Sequence, residues 1–187
     1  MHLNALPEST QRVLSRLRDV EEIRDHLLIG GTAMALQVHH RVSEDLDFVQ
    51  VGPRLDRQLI KRILTRIRGP EEPELVTSLV ARQTFENDGE DVDDVHQDWM
   101  VDGTKVTFFC PDQKEELDVL GQAKPLLYGN VHVADLDTIF KLKSMVVAER
   151  WTSRDAFDAE PGGATPHMLC ESPMHLARLL KRVDHDD

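Results

Sequence analysis

Two aspartates, Asp45 and Asp47, lie two residues apart in an otherwise apolar segment that continues into Phe48 and Val49. A carboxylate in apolar surroundings is costly unless it is paired or coordinates a metal ion. Side chains at positions i and i+2 of a β-strand point to the same side, so both carboxylates can reach one cation. Mg²⁺ prefers a few carboxylates together with the phosphate oxygens of a substrate. The spacing therefore predicts a Mg²⁺ site that serves phosphoryl or nucleotidyl transfer.

A glycine pair, Gly30 and Gly31, precedes the two aspartates and follows a short apolar run. Glycine lets the backbone come close to a phosphate, and a helix that begins at Thr32 would direct its N-terminal dipole at an anion. The hydroxyls of Thr32 and Ser43 can add hydrogen-bond donors. An isolated Gly-Gly or Asp-x-Asp is more often structural, but the two together at this spacing are a far more specific signal.

Length and composition indicate a globular protein. The chain has 187 residues, of which 40% are hydrophobic and 30% charged, and this predicts one domain over residues 1–187. The apolar runs are too short for a membrane span. Two cysteines do not make a disulfide framework, so we expect a cytoplasmic protein with no membrane partner.

The charge distribution limits the partners that the chain can bind. The net charge of −12 argues against general nucleic-acid binding, which depends on neutralising phosphates. Residues 54–68 are nevertheless strongly basic. This segment is either a solvated helix face or a local surface that meets an RNA acceptor.

Hydrophobic periodicity and turn residues predict an α+β fold with a mixed β-sheet flanked by helices. Helices are expected at 9–23, 32–39, 55–67, from 136 to about 150 after a cap at Asp135, and at 174–183. Strands are expected at 26–29, 45–51, 74–85 and 130–133, with a hairpin of 99–101 and 104–110 that turns at Asp102-Gly103. Loops are expected at 86–98, 111–124 and 159–173.

The segment GGTAMALQVHHRVSEDLDF resembles the opening motif of the AbiEii/AbiGii-type toxin nucleotidyltransferases, in the DNA polymerase β-like superfamily. That motif reads Gly-Gly-Thr-Ala, then His-Arg-x-Ser-x-Asp-x-Asp. Residues 136–158 resemble the family's lysine-bearing helix with its distal Arg-Asp-x-x-Asp. Residues 101–109 resemble its hairpin strand, which often reads Val-Lys-Val-Ser-Phe-Phe. Together the matches cover roughly residues 10–158.

The resemblance implies a nucleotidyltransferase core at about 10–110 and a short helical C-terminal part at about 135–183. It assigns Mg²⁺ to Asp45 and Asp47. The remaining implied site residues are Gly30, Gly31, Thr32 and Ser43 for the triphosphate, Lys143 for the nucleotide phosphates, and Asp155 to orient Lys143 or activate the acceptor hydroxyl. The chain would then be the toxin of a toxin–antitoxin or phage-defence module. Its partners would be an NTP, an acceptor that is tRNA, another RNA or a protein hydroxyl, and an antitoxin protein.

Two departures from the family pattern keep an alternative open. Many polymerase β-like enzymes place a third carboxylate on the strand that here holds Thr107, but residues 105–109 contain no acid. Asp102, in the expected turn, is a poor substitute. After Asp158 the chain reads AEPGGATP, where the family normally continues in an apolar helix. The alternative is a catalytically degenerate nucleotidyltransferase fold that binds a nucleotide or a partner without transfer.

Overall fold

The computed structural model describes residues 1–38, 42–79, 82–83, 85 and 91–157, with side chains as far as Val146. Its strands are β1 (Leu27–Ile29), β2 (Leu46–Val49), β3 (Glu74–Leu75), β4 (His96–Val101), β5 (Thr104–Phe109), β6 (Leu126–Tyr128) and β7 (Val131–Val133). Its helices are α1 (Glu8–Leu17), α2 (Gly30–Val38), α3 (Arg57–Ile67), α4 (Lys114–Gly121) and α5 (Leu136–Phe157).

One mixed sheet contains all of these strands, in the order β3-β4-β5-β2-β1-β7-β6. The β1–β7 and β2–β5 pairs are parallel, and the β1–β2, β3–β4, β4–β5 and β6–β7 pairs are antiparallel. The predicted α+β fold with a mixed sheet is therefore confirmed. None of the described helices is both long and apolar enough to cross a membrane.

A large part of the core lies on the sheet face opposite to Asp47. Phe48 of β2 and Phe108 of β5 are fully buried and stack with their ring centroids 5.7 Å apart. Helix α1 packs on β5 and on α3, which together bury a stripe of aliphatic residues at helical spacing: Val13, Leu14, Leu17, Ile60, Ile63, Leu64 and Ile67. The alternation along β2 thus sends Leu46 and Phe48 into the core and leaves Asp47 on the other side.

The hairpin between β4 and β5 has the predicted two-residue turn. Asp102 has a φ of 48° and Gly103 has a φ of 77°, as a type I′ turn requires. The pairing, however, continues as far as His96 opposite Phe109. The predicted loop is therefore wrong for residues 96–98, where pairing along β5 overrides a polar composition.

Three further element predictions are wrong. Only Glu74–Leu75 of the expected strand at 74–85 is extended, since the described residues between 79 and 85 are helical. The expected loop at 111–124 contains α4, whose first turn carries Glu115 and Glu116, acidic residues that suit a helix N-terminus. The first helix ends at Leu17 rather than residue 23.

Helix α5 begins where the sequence predicts. Asp135 accepts a hydrogen bond from the amide of Thr138 at 3.0 Å, so it caps the helix as expected. The helix extends to Phe157, beyond its predicted end. The chain divides into two compact units, Met1–Ile139 and Phe140–Asp187, and the single domain over 1–187 stays a prediction. The expected loop at 159–173 and final helix at 174–183 lie outside the described residues.

Candidate active site

A row of polar side chains crosses the sheet from β2 through β5 to β4. Asp47 is in register with Thr107, and Thr107 is in register with Asp98. Residues in register on neighbouring strands share a face of the sheet, and Asp45 and Lys105 belong to the same face by alternation. The Lys105 Nζ atom lies 3.7 Å from the Asp45 Oδ2 atom. We call these five residues the carboxylate face.

Two helices fix the main chain that leads into β2. The hydroxyl of Thr10 in α1 donates to the carbonyl oxygen of Glu44 at 2.7 Å. The hydroxyl of Thr32 in α2 donates to the carbonyl oxygen of Asp45 and lies 2.9 Å from the hydroxyl oxygen of Ser43. These bonds fix the backbone of Glu44 and Asp45, and therefore the position from which the Asp45 side chain extends.

Gly30 makes room for the carboxylate of Asp47. Its φ is +75°, in the region that side chains rarely adopt. A Cβ atom at this position would lie 2.7 Å from the Asp47 Oδ2 atom, closer than a Cβ atom lies to a non-bonded neighbour in a folded protein. Helix α2 begins at Gly30, two residues earlier than expected. The carboxylate of Asp47 therefore lies directly beside the first residue of this helix.

The hydroxyls of Thr32 and Ser43 serve the fold at this site. Thr32 is fully buried and Ser43 is 9% exposed. Their hydroxyls bond to each other, and Thr32 also bonds to the backbone of Asp45. Their predicted contact with a triphosphate, like that of Gly30 and Gly31, stays a prediction.

The two aspartates of the motif are both held with raised pKa values. Burial, and then the charge of Asp45, raise the pKa of Asp47 to about 6. Burial also raises the pKa of Asp45, although Lys105 opposes this shift. The negative charge of Asp45 thus disfavours the charged form of the more deeply buried Asp47. A cation between them would remove this conflict.

The pKa of Asp98 is lowered, in contrast to the raised pKa values of Asp45 and Asp47. Burial alone would raise its pKa, but the hydrogen bond and charge of His96, the hydroxyl of Thr107 and the charge of Lys105 bring the pKa of Asp98 to about 2. The His96 Nε2 atom is 3.0 Å from one carboxylate oxygen, and the Thr107 Oγ1 atom is 2.7 Å from the other. Asp98 is thus a permanent negative charge on the carboxylate face.

The donor set fits Mg²⁺ in part. Asp45 and Asp47 offer the hard oxygen ligands that Mg²⁺ requires, and their raised pKa values show that burial disfavours their charged forms, with Lys105 offsetting this only in part. Within the described part of the chain, no three His, Cys, Asp or Glu side chains converge as a metal site. A cation at Asp45 and Asp47 would therefore complete its coordination with water and substrate oxygens, as Mg²⁺ commonly does.

Asp102 plays no part in this group. It lies in the β4–β5 turn, where its carboxylate pairs with Arg16 at 3.0 Å and Arg12 at 3.4 Å. The hydrogen bonds of these arginines outweigh the effect of desolvation and lower the pKa of Asp102. The expectation that Asp102 is a poor substitute for a third carboxylate agrees with this pairing.

The other predicted site residues lie on α5. Lys143 and Asp155 belong to the second compact unit, and the roles predicted for them stay predictions. His40 and Arg41 of the opening motif lie outside the described residues.

Sequence reasoning missed Asp98, His96 and Lys105 as members or neighbours of the site. Asp98 and His96 were hidden in an acidic run interpreted as a loop, although their alternation at i and i+2 is also a strand pattern. Lys105 stands at the lysine of the Val-Lys-Val-Ser-Phe-Phe pattern, which was the available signal.

The basic segment at residues 54–68 is partly neutralised by ion pairs. Arg54 and Arg57 each pair with Asp94 at 2.6 Å, and Arg66 pairs with Glu22 at 3.0 Å. These pairs reduce the positive charge offered to a nucleic acid, so they favour a solvated helix face over an RNA-binding surface.

Comparison with known proteins agrees with the geometry of the site. Residues 12–160 match the family model described as nucleotidyl transferase AbiEii toxin, type IV toxin–antitoxin system. The match covers well over half of the chain and includes Asp45, Asp47 and Lys143. Among curated proteins, no match to the chain was found. The family expected from the sequence is thus confirmed.

Proposed function

We propose that this chain, which belongs to the AbiEii family of nucleotidyl transferase toxins, is a Mg²⁺-dependent enzyme that transfers a nucleotide from an NTP to an acceptor. The family implies nucleotidyl transfer and membership of a toxin–antitoxin pair. The observation that carries the proposal is the pair Asp45 and Asp47, whose carboxylates share one face and whose pKa values are both raised. Such a pair gains most from a divalent cation.

The residues of the first compact unit have distinct tasks in this reaction. Asp45 and Asp47 would hold Mg²⁺, which supplies positive charge beside the reacting phosphate oxygens. Gly30 leaves space for Asp47, and the amides of Gly30 and Gly31 at the start of α2 favour an anionic triphosphate. The Thr32 hydroxyl bonds to the backbone of Asp45 and to the hydroxyl of Ser43, so it supports the main chain of a proposed metal ligand.

The remaining parts of the proposal come from the family pattern. Lys143 contacts the nucleotide phosphates as a point charge, and Asp155 orients Lys143 or takes the proton of the acceptor hydroxyl. The acceptor is tRNA, another RNA or a protein hydroxyl, the compartment is the cytoplasm, and an antitoxin protein restrains the activity.

A second function is favoured by one specific observation. No acid occupies the described strand β5, and Asp98 is already bound by His96 and Thr107. A chain with only two carboxylates free for the metal fits a degenerate nucleotidyltransferase that binds a nucleotide or a partner without transfer.

Transfer assays separate the two functions. The full chain is incubated with MgCl₂, each of the four α-³²P-labelled NTPs, and total tRNA or a protein extract. We expect label on one acceptor class with the wild type and its loss with Asp45→Asn and Asp47→Asn. Asp102→Asn is the matched control, because it alters an aspartate outside the carboxylate face. Binding of NTP without any labelled acceptor would support the degenerate function instead.

A further inference from the structure

We propose that Lys105 is a phosphate-binding residue that serves as the counter-ion of Asp45 until a divalent cation binds, and that it then contacts the nucleotide phosphates. This inference rests on the proposed function, and it names a substrate contact on β5 in addition to those expected from the opening motif. It follows from the position, exposure and charge of Lys105.

The ion pair between Lys105 and Asp45 is loose. The Nζ–Oδ2 distance is 3.7 Å, longer than the roughly 2.7–2.9 Å of a charge-assisted hydrogen bond. The side chains are 26% and 38% exposed, respectively, so solvent and ligands reach both groups. A partly exposed pair of this kind contributes little to stability, so a ligand of higher charge can replace it at little cost.

Lys105 is placed to act on the whole carboxylate face. Its positive charge acts on Asp45, Asp47 and Asp98 alike, although its nearest carboxylate is Asp45. Once a divalent cation neutralises Asp45 and Asp47, the ammonium loses its main partner. A triphosphate bound at the same cation offers it a denser negative charge, and the flexible lysine side chain carries a compact charge that suits phosphate.

This exchange predicts that replacing Lys105 changes the affinities for Mg²⁺ and for tripolyphosphate in opposite directions. In Lys105→Met, Mg²⁺ no longer competes with an ammonium, so Mg²⁺ alone should bind more tightly. Inorganic tripolyphosphate with Mg²⁺ should bind about tenfold more weakly, the loss of one charged contact of roughly 1.4 kcal/mol. A lysine that only balances the charge of Asp45 would strengthen Mg²⁺ binding and leave tripolyphosphate binding unchanged.

The experiment measures both ligands by calorimetry and by the shift in unfolding temperature of the full chain. Lys105→Arg should keep tripolyphosphate binding within a few-fold of wild type, and Lys61→Met on the exposed face of α3 should change neither affinity. If Lys105→Met is poorly folded, Lys105→Gln replaces it. Unchanged or tighter tripolyphosphate binding in the folded variant overturns the inference.

Failure of the proposed function gives a different result. If the wild type itself binds neither Mg²⁺ nor tripolyphosphate nor any NTP, the nucleotidyl transfer proposal fails, and the role of Lys105 fails with it. If the wild type binds all three ligands and Lys105→Met binds tripolyphosphate equally well, only the role of Lys105 is overturned.

Discussion

The Thr107 hydroxyl on β5 donates a 2.7 Å hydrogen bond to the carboxylate of Asp98 on the neighbouring strand β4. The strand that carries an acid in many polymerase β-like enzymes here carries a hydroxyl that holds an acid one strand away. The second oxygen of Asp98 is bound by His96 at 3.0 Å. The carboxylate face therefore keeps three negative charges without an acidic residue on β5.

Loss of the charge at Asp98 should weaken Mg²⁺ binding at Asp45 and Asp47. Two strand spacings separate Asp98 from Asp47, about 10 Å, and at this distance one charge contributes roughly 1 kcal/mol to the binding of a divalent cation even at the dielectric constant of water. We expect Asp98→Asn to lower the Mg²⁺ affinity about fivefold or more, measured by calorimetry. Thr107→Val is the control, because it removes the hydrogen bond and keeps the charge. Equal affinities in Asp98→Asn and wild type would contradict a role for this charge.

Neutralising Asp47 should stabilise the metal-free protein at neutral pH. Its pKa rises from an ordinary 3.8 to about 6 on folding, so the folded protein binds a proton that the unfolded chain has released. The contribution of Asp47 to the free energy of unfolding therefore falls as pH rises between these values, by up to ~3 kcal/mol. The free energy of unfolding of Asp47→Asn should exceed that of the wild type by up to this amount at pH 7–8. The two values should be equal below pH 4. Urea unfolding at each pH measures the difference.

Binding of Mg²⁺ should stabilise the wild type but not Asp47→Asn. Because the cation relieves the same charge conflict, adding MgCl₂ at pH 8 should raise the unfolding temperature of the wild type and leave Asp47→Asn nearly unchanged. The same addition at pH 5 should have a smaller effect on the wild type, since protons then compete with the metal. A shift of equal size in both proteins would show that Mg²⁺ binds elsewhere.

Gly30→Ala should disturb both stability and metal binding. The new Cβ atom would meet the Asp47 Oδ2 atom at 2.7 Å, in a backbone with a φ of +75°. The left-handed backbone alone costs about 1–2 kcal/mol, and the displaced carboxylate should abolish measurable Mg²⁺ binding. Gly121→Ala in α4 is the matched control, because nothing lies within 4 Å of its added Cβ atom. It should leave metal binding intact and stabilise the fold slightly.

The local part of the site could be predicted from the sequence, and the part that depends on strand pairing could not. Alternation along one strand is enough to place Asp45 and Asp47 on one side. Asp98 and Lys105 join them only because β4 and β5 pair in one register beside β2. That register is set by contacts distant in the chain, so no local pattern around Asp98 reveals its neighbours.

Two strand predictions failed because strand pairing depends on contacts that are distant in the chain. The hairpin turn at Asp102-Gly103 has its own backbone preference and was predicted correctly. The strand at His96 depends on pairing with Phe109, and its acidic surroundings gave the opposite signal. Residues 74–85 were expected to form a strand, yet the described ladder is Glu74–Leu75, opposite Trp99 and Met100 of β4, and it ends near the hydrogen bond from the Val76 amide to the Asp98 carbonyl oxygen. Helix α4 was missed for another reason, because a polar composition at 111–124 was interpreted as a loop although Glu115 and Glu116 suit the start of a helix.

Buried His26 should oppose Asp47 in the pH dependence of stability. Burial lowers the pKa of His26 from 6.5 to about 4, and its ring packs edge-on against Phe108 at 5.2 Å. Between these pH values the unfolded chain binds a proton that the folded protein excludes. Stability is therefore lost as pH falls from 6.5 to 4, by up to ~3 kcal/mol.

The two groups titrate in overlapping windows with opposite signs, so the wild type should show a flat stability profile between pH 4 and 6.5. In Asp47→Asn the opposing contribution is absent, so the free energy of unfolding should fall as pH falls from 6.5 to 4 because of His26. The double variant Asp47→Asn, His26→Phe should lose this decline toward acid, whatever its absolute stability, because His26 no longer titrates. Chemical unfolding of the three proteins across this range provides the measurement. A sloping profile in the double variant would assign the pH dependence to other groups.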